Sequence, residues 1–400
     1  MPYKILQITN KPPFPEIDGG SLEIAKMSKF YDNHPDFELD ILTVATYKHP
    51  FIKTEFEKHL VNGSSVKSVY IKTKPLFFNA LKNLILNKSY HLVRFKNKNF
   101  EKQLIDLLQS KKYDFIQCES IYAGQYHEVI KSNSDAKIIL NTPNVEHHIW
   151  DNISKNSILL KKRYFNILSS QLRKEEEMIW KNMDGVISIS SNGKERIAAV
   201  IDPSKIISLP FYLDNKKYKP REIEVNKDIT FFHIGAMNWL PNIEGIQWFI
   251  NSIWQNLNVP NKLYLAGKDM PKSLLSMSNK SILCEGFVPD AKNYMMDHDV
   301  MIVPLLSGSG IRIKIIEAMA LGKCIISTTL GAEGIDCTRD ENILIADTAE
   351  EFSVQIKKLI SNPSLISEIG KKAKILAESN YDISNMGISL IPFLTQIQKS

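Results

Sequence analysis

The chain has 400 residues, too many for one ordinary α/β domain and suited to two of about 200 residues each. Its 44% hydrophobic and 24% charged residues are those of a soluble globular protein and exclude collagenous, mucin-like and wholly disordered classes. The net charge of +6 is unevenly spread, since Lys48 to Lys112 holds 14 Lys and Arg against four acids, Glu55, Glu57, Glu101 and Asp106.

That basic stretch is interleaved with Phe77, Phe78, Leu81, Leu84 and Ile85. The combination suits an anionic membrane surface or a phosphate-bearing acceptor, is less suited to nucleic acid, and has a merely solvated face as its plain alternative. No apolar run reaches the roughly 18 residues of a membrane span; Leu76 to Leu86 falls short and contains Lys82. The N-terminus enters a strand pattern at once, without the sections of a signal peptide, so the expected location is cytoplasmic, peripheral at the inner face of the plasma membrane if the basic stretch docks there. Cys118, Cys284, Cys324 and Cys337 have neither close pairing nor metal-ligand spacing and read as reduced thiols.

Apolar runs of strand length alternate with helix-period segments throughout, which predicts parallel sheets with crossover helices. In the first half the expected strands are Lys4–Thr9, Phe37–Val44, Phe115–Cys118, Lys137–Leu140, Val186–Ile189 and Ile206–Leu209, with helices near 20–32, 98–110, 163–182 and 192–200. The second half restarts with Thr230–Ile234, Leu263–Ala266, Ile282–Cys284, Val300–Pro304, Cys324–Ser327 and Ile343–Ile345, separated by helices near 242–257, 290–297, 310–321 and 349–361. The pattern divides into a first domain over 1–210, a charged linker over 211–228, a second domain over 229–380 and a final amphipathic helix over 381–400 that packs on either domain.

The most informative stretch, Val300 to Ser327, reads strand, glycine loop, helix, glycine stop, strand. Ser309 suits an N-cap and Gly322 the residue just past the helix, while Gly308 and Gly310 let backbone amides approach a ligand. The helix start, at Ser309 to Ile311, then offers an anion site at the carboxyl edge of a parallel sheet. Glu317 lies eight residues past Ser309, hence about 12 Å along the helix axis, where a ribose would sit if a diphosphate occupied the helix start. Its two oxygens can accept from both ribose hydroxyls. Arg312 and Lys314 oppose the helix dipole, and balancing a diphosphate is one reason for their placement; solvated surface charge is the other.

At this point the sequence resembles glycosyltransferase family 4, the group 1 glycosyl transferases. The resemblance rests on Ser309 to Gly322, Ser327 to Gly334, Gly235-Ala-Met-Asn-Trp-Leu-Pro-Asn242 and Gly286-Phe-Val-Pro-Asp290, and covers nearly the whole chain. It implies the GT-B fold: an α/β protein of two Rossmann-like doubly wound domains facing a central cleft. The implied activity is retaining transfer of a sugar from a nucleotide-diphosphate sugar to a glycan, lipid-linked or other acceptor, in surface polysaccharide or glycoconjugate synthesis.

In that family the second domain binds the donor and the glutamate matching Glu317 binds its ribose, so Ser309, Gly310, Ile311, Gly235, Asn238 and Val288 are further candidate donor contacts. Ser309 stands where the family often has another glutamate. The Arg and Lys that many members carry after the first strand of this domain are absent, which leaves Arg312 and Lys314 as their substitutes.

In the first half, Lys11 to Gly20 looks like the family's glycine loop, with Gly19 and Gly20 facing the donor phosphates; a turn needing glycine for its own φ angles is the alternative. Asn141-Thr-Pro-Asn-Val-Glu-His-His148 resembles a segment that often reads His-Asn-Val-Glu, with Pro143 in place of that histidine. Any acceptor role then passes to Asn144, Glu146 or His147, with helix-capping loop residues as the bland reading.

No metal and no cofactor beyond the donor are expected: Asp297-His-Asp299 has the form of a metal site but sits at a helix end, where such residues cap. Asn192-Gly-Lys-Glu lacks the spacing of a phosphate-binding P-loop. A nucleotide-sugar epimerase on the same fold and a non-catalytic transferase-like partner are the rival readings. A dinucleotide oxidoreductase is disfavoured, because neither half opens with Gly-x-Gly-x-x-Gly.

Overall fold

A computed structural model describes residues 2–73, 83, 86, 88–155, 159–219, 228–308 and 310–400. The aromatic and aliphatic residues Phe77, Phe78, Leu81, Leu84 and Ile85 of the basic stretch, and Ser309, lie outside the described residues. The chain forms two compact units, Met1–Leu209 with Gly387–Ser400, and Pro210–Met386.

Unit 1 is built on strands β1 (Tyr3–Thr9), β2 (Phe37–Ala45), β3 (Ser65–Tyr70), β4 (Phe115–Glu119), β5 (Lys137–Thr142), β6 (Gly185–Ser188) and β7 (Ile206–Ser208). They pair in parallel in the order β3-β2-β1-β4-β5-β6-β7, so the chain reverses its direction of winding between β1 and β4. Leu6, Ile8, Ile116, Cys118, Leu140 and Val186 point to one face, where they bury Phe100, Leu104, Leu172 and Trp180. Residues of the opposite parity, Gln7, Gln117, Glu119 and Asn141, are buried on the other face, where Gln7 and Gln117 accept from the Ser28 and Tyr31 hydroxyls of the helix Gly19–Asn33. There Glu119 accepts from the amides of Gln7, Gln117 and Asn141 at 2.6, 2.6 and 2.7 Å. Burial pushes its carboxyl up to about 7, against the pull of those three donors.

Unit 2 repeats the plan with β8 (Thr230–Ile234), β9 (Lys262–Ala266), β10 (Ile282–Gly286), β11 (Val300–Val303), β12 (Cys324–Ser327) and β13 (Leu344–Ile345), ordered β10-β9-β8-β11-β12-β13 and all parallel. Its strands are near-continuous apolar runs, as expected of a sheet covered on both faces. Phe231, Leu263, Leu265, Val300, Ile302 and Ile326 pack one of those faces against Phe249, Trp254 and Phe352. The switch point falls between β8 and β11, whose carboxyl ends run into Gly235 and Pro304.

The domain limits differ in detail from the sequence reading. Pro210 to Lys219 belongs to unit 2, held by Leu213 N–H donating to the Tyr381 carbonyl at 2.6 Å and by Ile383 N–H donating to the Leu213 carbonyl at 2.8 Å. The return to unit 1 comes at Gly387, within the helix Met386–Lys399. Phe393 of that helix closes so tightly on Gly185 that a Cβ there would stand 2.9 Å from its ring, and Gln396 donates to the Ser204 carbonyl at 3.1 Å.

Candidate donor and acceptor sites

The chain leaves β11 at Pro304 and does not become helical until Ile313. Gly308 and Gly310 adopt φ of 109° and 86°, the left-handed region, which keeps this stretch out of the helix. Gly308 is also tightly packed, since a Cβ would stand 3.0 Å from the Trp239 ring. The helix expected from 310 with Ser309 as its cap therefore starts three residues later, and Arg312 stands at its N-cap. Its other end follows the sequence reading: Gly322 has φ of 69°, and the Gly322 and Lys323 N–H groups donate to the Met319 and Ala318 carbonyls at 2.8 and 2.9 Å.

The turn and helix bring Arg312 and Lys314 to residues at the carboxyl edge of β8 and β11 and set Glu317 further along, beside Tyr218. Arg312 is buried, with its guanidinium 5.3 Å from the centre of the Trp239 ring and an N–H donated to the Gly310 carbonyl. Burial lowers it to about 10. Lys314 Nζ donates to Asn242 Oδ1 at 3.1 Å and faces His233 Nε2 at 3.3 Å. Because His233 Nδ1 lies 2.7 Å from the Ile302 carbonyl, Nδ1 carries the proton and Nε2 accepts from Lys314. Burial, reinforced by the Lys314 charge, holds His233 neutral, well below its usual range. Lys314 falls to about 7, first through burial and then through the charge of Arg312. Two cationic groups thus share a dry corner, an arrangement that an incoming anion would stabilise.

Gly235 forms the wall of that corner, where a Cβ would come within 3.1 Å of Lys314 Nζ and 2.8 Å of Asn242 Nδ2. Glu317 accepts from the Tyr218 hydroxyl at 2.9 Å, and burial raises its carboxyl above the usual range. Asn238 is exposed and donates to Asp269 at 2.9 Å; Val288 is half-buried beyond β10; Gly310 and Ile311 belong to the turn itself. Sequence reasoning passed over His233 and Tyr218 as contributors. Trp239 and Asn242 had a signal, as members of the quoted Gly235 segment.

In Asp297-His-Asp299, two side chains have partners within unit 2. Asp299 accepts from the Thr230 amide and hydroxyl, both at 2.8 Å, and His298 Nδ1 contacts the Tyr294 carbonyl at 2.8 Å.

In unit 1, Gly19 and Gly20 are the first two residues of the helix Gly19–Asn33, and neither has positive φ. Asp18 caps this helix in a reciprocal box with Ser21 and pairs with Lys11 at 2.7 Å. A Cβ on Gly20 would fall 2.5 Å from Lys11 Nζ, so glycine here makes room for the pair rather than for a turn.

Glu146 and His147 open the helix Glu146–Lys155 rather than capping a later one from a loop. Its first amides are satisfied from a distance: Glu176 accepts the Glu146 N–H at 2.9 Å, the His147 N–H at 3.1 Å and His147 Nδ1 at 2.7 Å. Burial, together with the Glu176 charge, pushes the Glu146 carboxyl up to about 7, with the Tyr122 hydroxyl opposing the shift. Asn144 is half-buried, and its carbonyl accepts from the Thr142 hydroxyl at 2.8 Å.

Two doubly wound units in series, the second with a basic, glycine-bounded turn at its switch point, define the GT-B class of architecture. Residues 228–362, within unit 2, match the family described as glycosyl transferases group 1. The chain is 24% identical over 396 residues to an uncharacterised 44.6 kDa protein in the cps region of Klebsiella pneumoniae, spanning 95% of this chain and 96% of that one. Among solved structures it is similar to HepE of Anabaena in complex with UDP, with TM-score 0.71, 14% identity and 98% and 100% of the two chains covered. It is likewise similar to sucrose-phosphate synthase of Thermosynechococcus elongatus, with TM-score 0.73, 14% identity and 99% of each chain covered.

Proposed function

We propose that the chain is a retaining glycosyltransferase that moves a sugar from a nucleotide-diphosphate sugar to a glycan, glycolipid or other acceptor during synthesis of a surface polysaccharide or glycoconjugate. The observation that carries this reading is the presentation of Arg312, Lys314 and Glu317 by one turn and helix that follow the switch point of unit 2, within the residues that match the group 1 family. Supporting it, the similar HepE structure holds UDP, and the Klebsiella relative comes from a cps region.

In this reading Arg312 and Lys314 bind the diphosphate and offset the charge that grows on it as the anomeric bond breaks. Glu317 accepts the ribose hydroxyls. The acceptor hydroxyl attacks the anomeric carbon on the face the diphosphate leaves, so configuration is retained and the diphosphate takes the proton. Asn144, Glu146 and His147 orient the acceptor. Neither a cofactor nor a metal at the diphosphate enters the scheme. The basic stretch Lys48–Lys112 holds an anionic membrane surface near a lipid-linked acceptor, with the protein at the inner face of the membrane.

A panel of nucleoside diphosphates in a thermal-shift assay tests donor binding, because a ligand at 100 times its Kd adds about 2.7 kcal/mol of stability. Product analysis with the sugar form of the best ligand follows. Conversion of the donor to an isomer without any acceptor would favour an epimerase, and failure of every nucleotide to stabilise the fold would favour a non-catalytic partner.

A further inference from the structure

Away from the donor corner, the helix Glu146–Lys155 gathers His147, His148 and Asp151, each offering a ligand atom within 4.8 Å of the others. His147 and Asp151 stand one turn apart, and His148 lies beside them with its ring centre 4.6 Å from that of His147. His148 Nδ1 is 3.7 Å from Asp151 Oδ2. That is too long for a hydrogen bond and close to the roughly 3.4 Å edge of a tetrahedron whose bonds to a metal are about 2.0–2.1 Å.

The surroundings hold these side chains as a metal's outer partners would. His147 Nδ1 is hydrogen-bonded at 2.7 Å to Glu176, a carboxylate with no exposed surface, which fixes the ring and leaves Nε2 with its lone pair. Asp151 is also anchored, with Oδ1 accepting from the Ser169 hydroxyl and Oδ2 from Arg173 at 3.0 Å. Arg173 is half exposed, so it can share or release Oδ2 without leaving a buried charge behind. Two imidazoles and one carboxylate select borderline cations over the oxygen-seeking Mg2+ and Ca2+.

We propose that His147, His148 and Asp151 form a binding site for a Zn2+-class cation, with three protein ligands and a fourth position open to water or to a ligand group. The cation ties the first turn of the helix that begins at Glu146. The site is independent of the donor reading, since none of its residues lies in unit 2.

The test uses the full chain, stripped with a chelator and titrated with Co2+ in the visible d–d region, then with Zn2+ in competition and by calorimetry. One equivalent of each metal is expected to bind, Mg2+ to give no signal, and His148→Gln and Asp151→Asn each to weaken Co2+ and Zn2+ binding at least tenfold. Both variants keep side-chain size, and their metal-free circular dichroism and melting temperature identify a variant that has lost its fold; the other then decides. Absence of stoichiometric binding, binding unchanged in a folded variant, or thiolate charge-transfer bands that trace the metal to cysteine would overturn the proposal.

Discussion

Replacing Glu317 with Gln is the perturbation that most directly examines the donor site. A carboxylate has about four lone-pair positions, and the Tyr218 hydroxyl, at 2.9 Å from Oε1, uses one. Three remain, enough for both hydroxyls of a ribose. In the Gln variant the carbonyl oxygen keeps Tyr218 and has one position left, while the amide presents a donor where the second hydroxyl needs an acceptor. One charge-assisted bond is lost and another becomes neutral, a cost of about 1.5–3 kcal/mol or roughly one to two orders of magnitude in affinity.

The loss should appear equally for the bare nucleoside, the diphosphate and the nucleotide-sugar, because all carry the ribose. Stability should move the other way. The folded-state pKa of Glu317 is raised, so its contribution is present at low pH and lost as pH rises through that folded value; at pH 8 the neutral Gln should match or exceed wild type in a thermal melt. Arg312→Ala provides the contrast, sparing the nucleoside, weakening the diphosphate and lowering turnover. Calorimetry with the three ligands separates the two roles. Unchanged nucleoside affinity in a folded Glu317→Gln protein would refute the ribose assignment.

Three further outcomes are expected. Lys314 is lowered to about 7, so a bound diphosphate, by raising it again, should draw in a proton between about pH 7 and 9. Binding enthalpy should then vary with the ionisation enthalpy of the buffer, affinity should fall as pH rises, and both effects should vanish in Lys314→Met. Gly245→Ala would place a Cβ 2.3 Å from the Pro304 carbonyl oxygen, a backbone atom, and should lower stability by about 1–3 kcal/mol in denaturant melts. Flotation with anionic liposomes at low salt should carry the protein, and changing Lys72, Lys74, Lys82 and Lys88 to Glu should release it; flotation that ignores lipid charge would remove the membrane reading.

The two sheets were legible because their central strands are apolar runs between helix-period segments, a pattern that survives without tertiary context. β3 was not, since Ser65-Val-Lys-Ser-Val-Tyr70 lies at the edge of its sheet and carries polar residues there. The helix start at Ile313 was misplaced because Gly308 and Gly310 were read for their openness to a ligand, and their left-handed φ values also delay the helix. The helix Glu146–Lys155 escaped for a different reason: the group that completes its first turn, Glu176, lies thirty residues further on. Tyr218 belongs to a stretch whose composition reads as connection, and only folding brings its hydroxyl to Glu317.

The return of Gly387–Ser400 to unit 1 makes Pro210–Met386 a cassette inserted into a discontinuous host rather than the second bead on a string. Its two ends are stapled side by side by the parallel bridge between Leu213 and Asp382. Such a piece can be transplanted through two adjacent junctions, leaving Phe393 seated against Gly185 in the recipient. Exchange with a relative should therefore carry over whatever nucleotide preference resides in unit 2, while a truncation before Gly387 that spares every residue of the cassette would still damage its host.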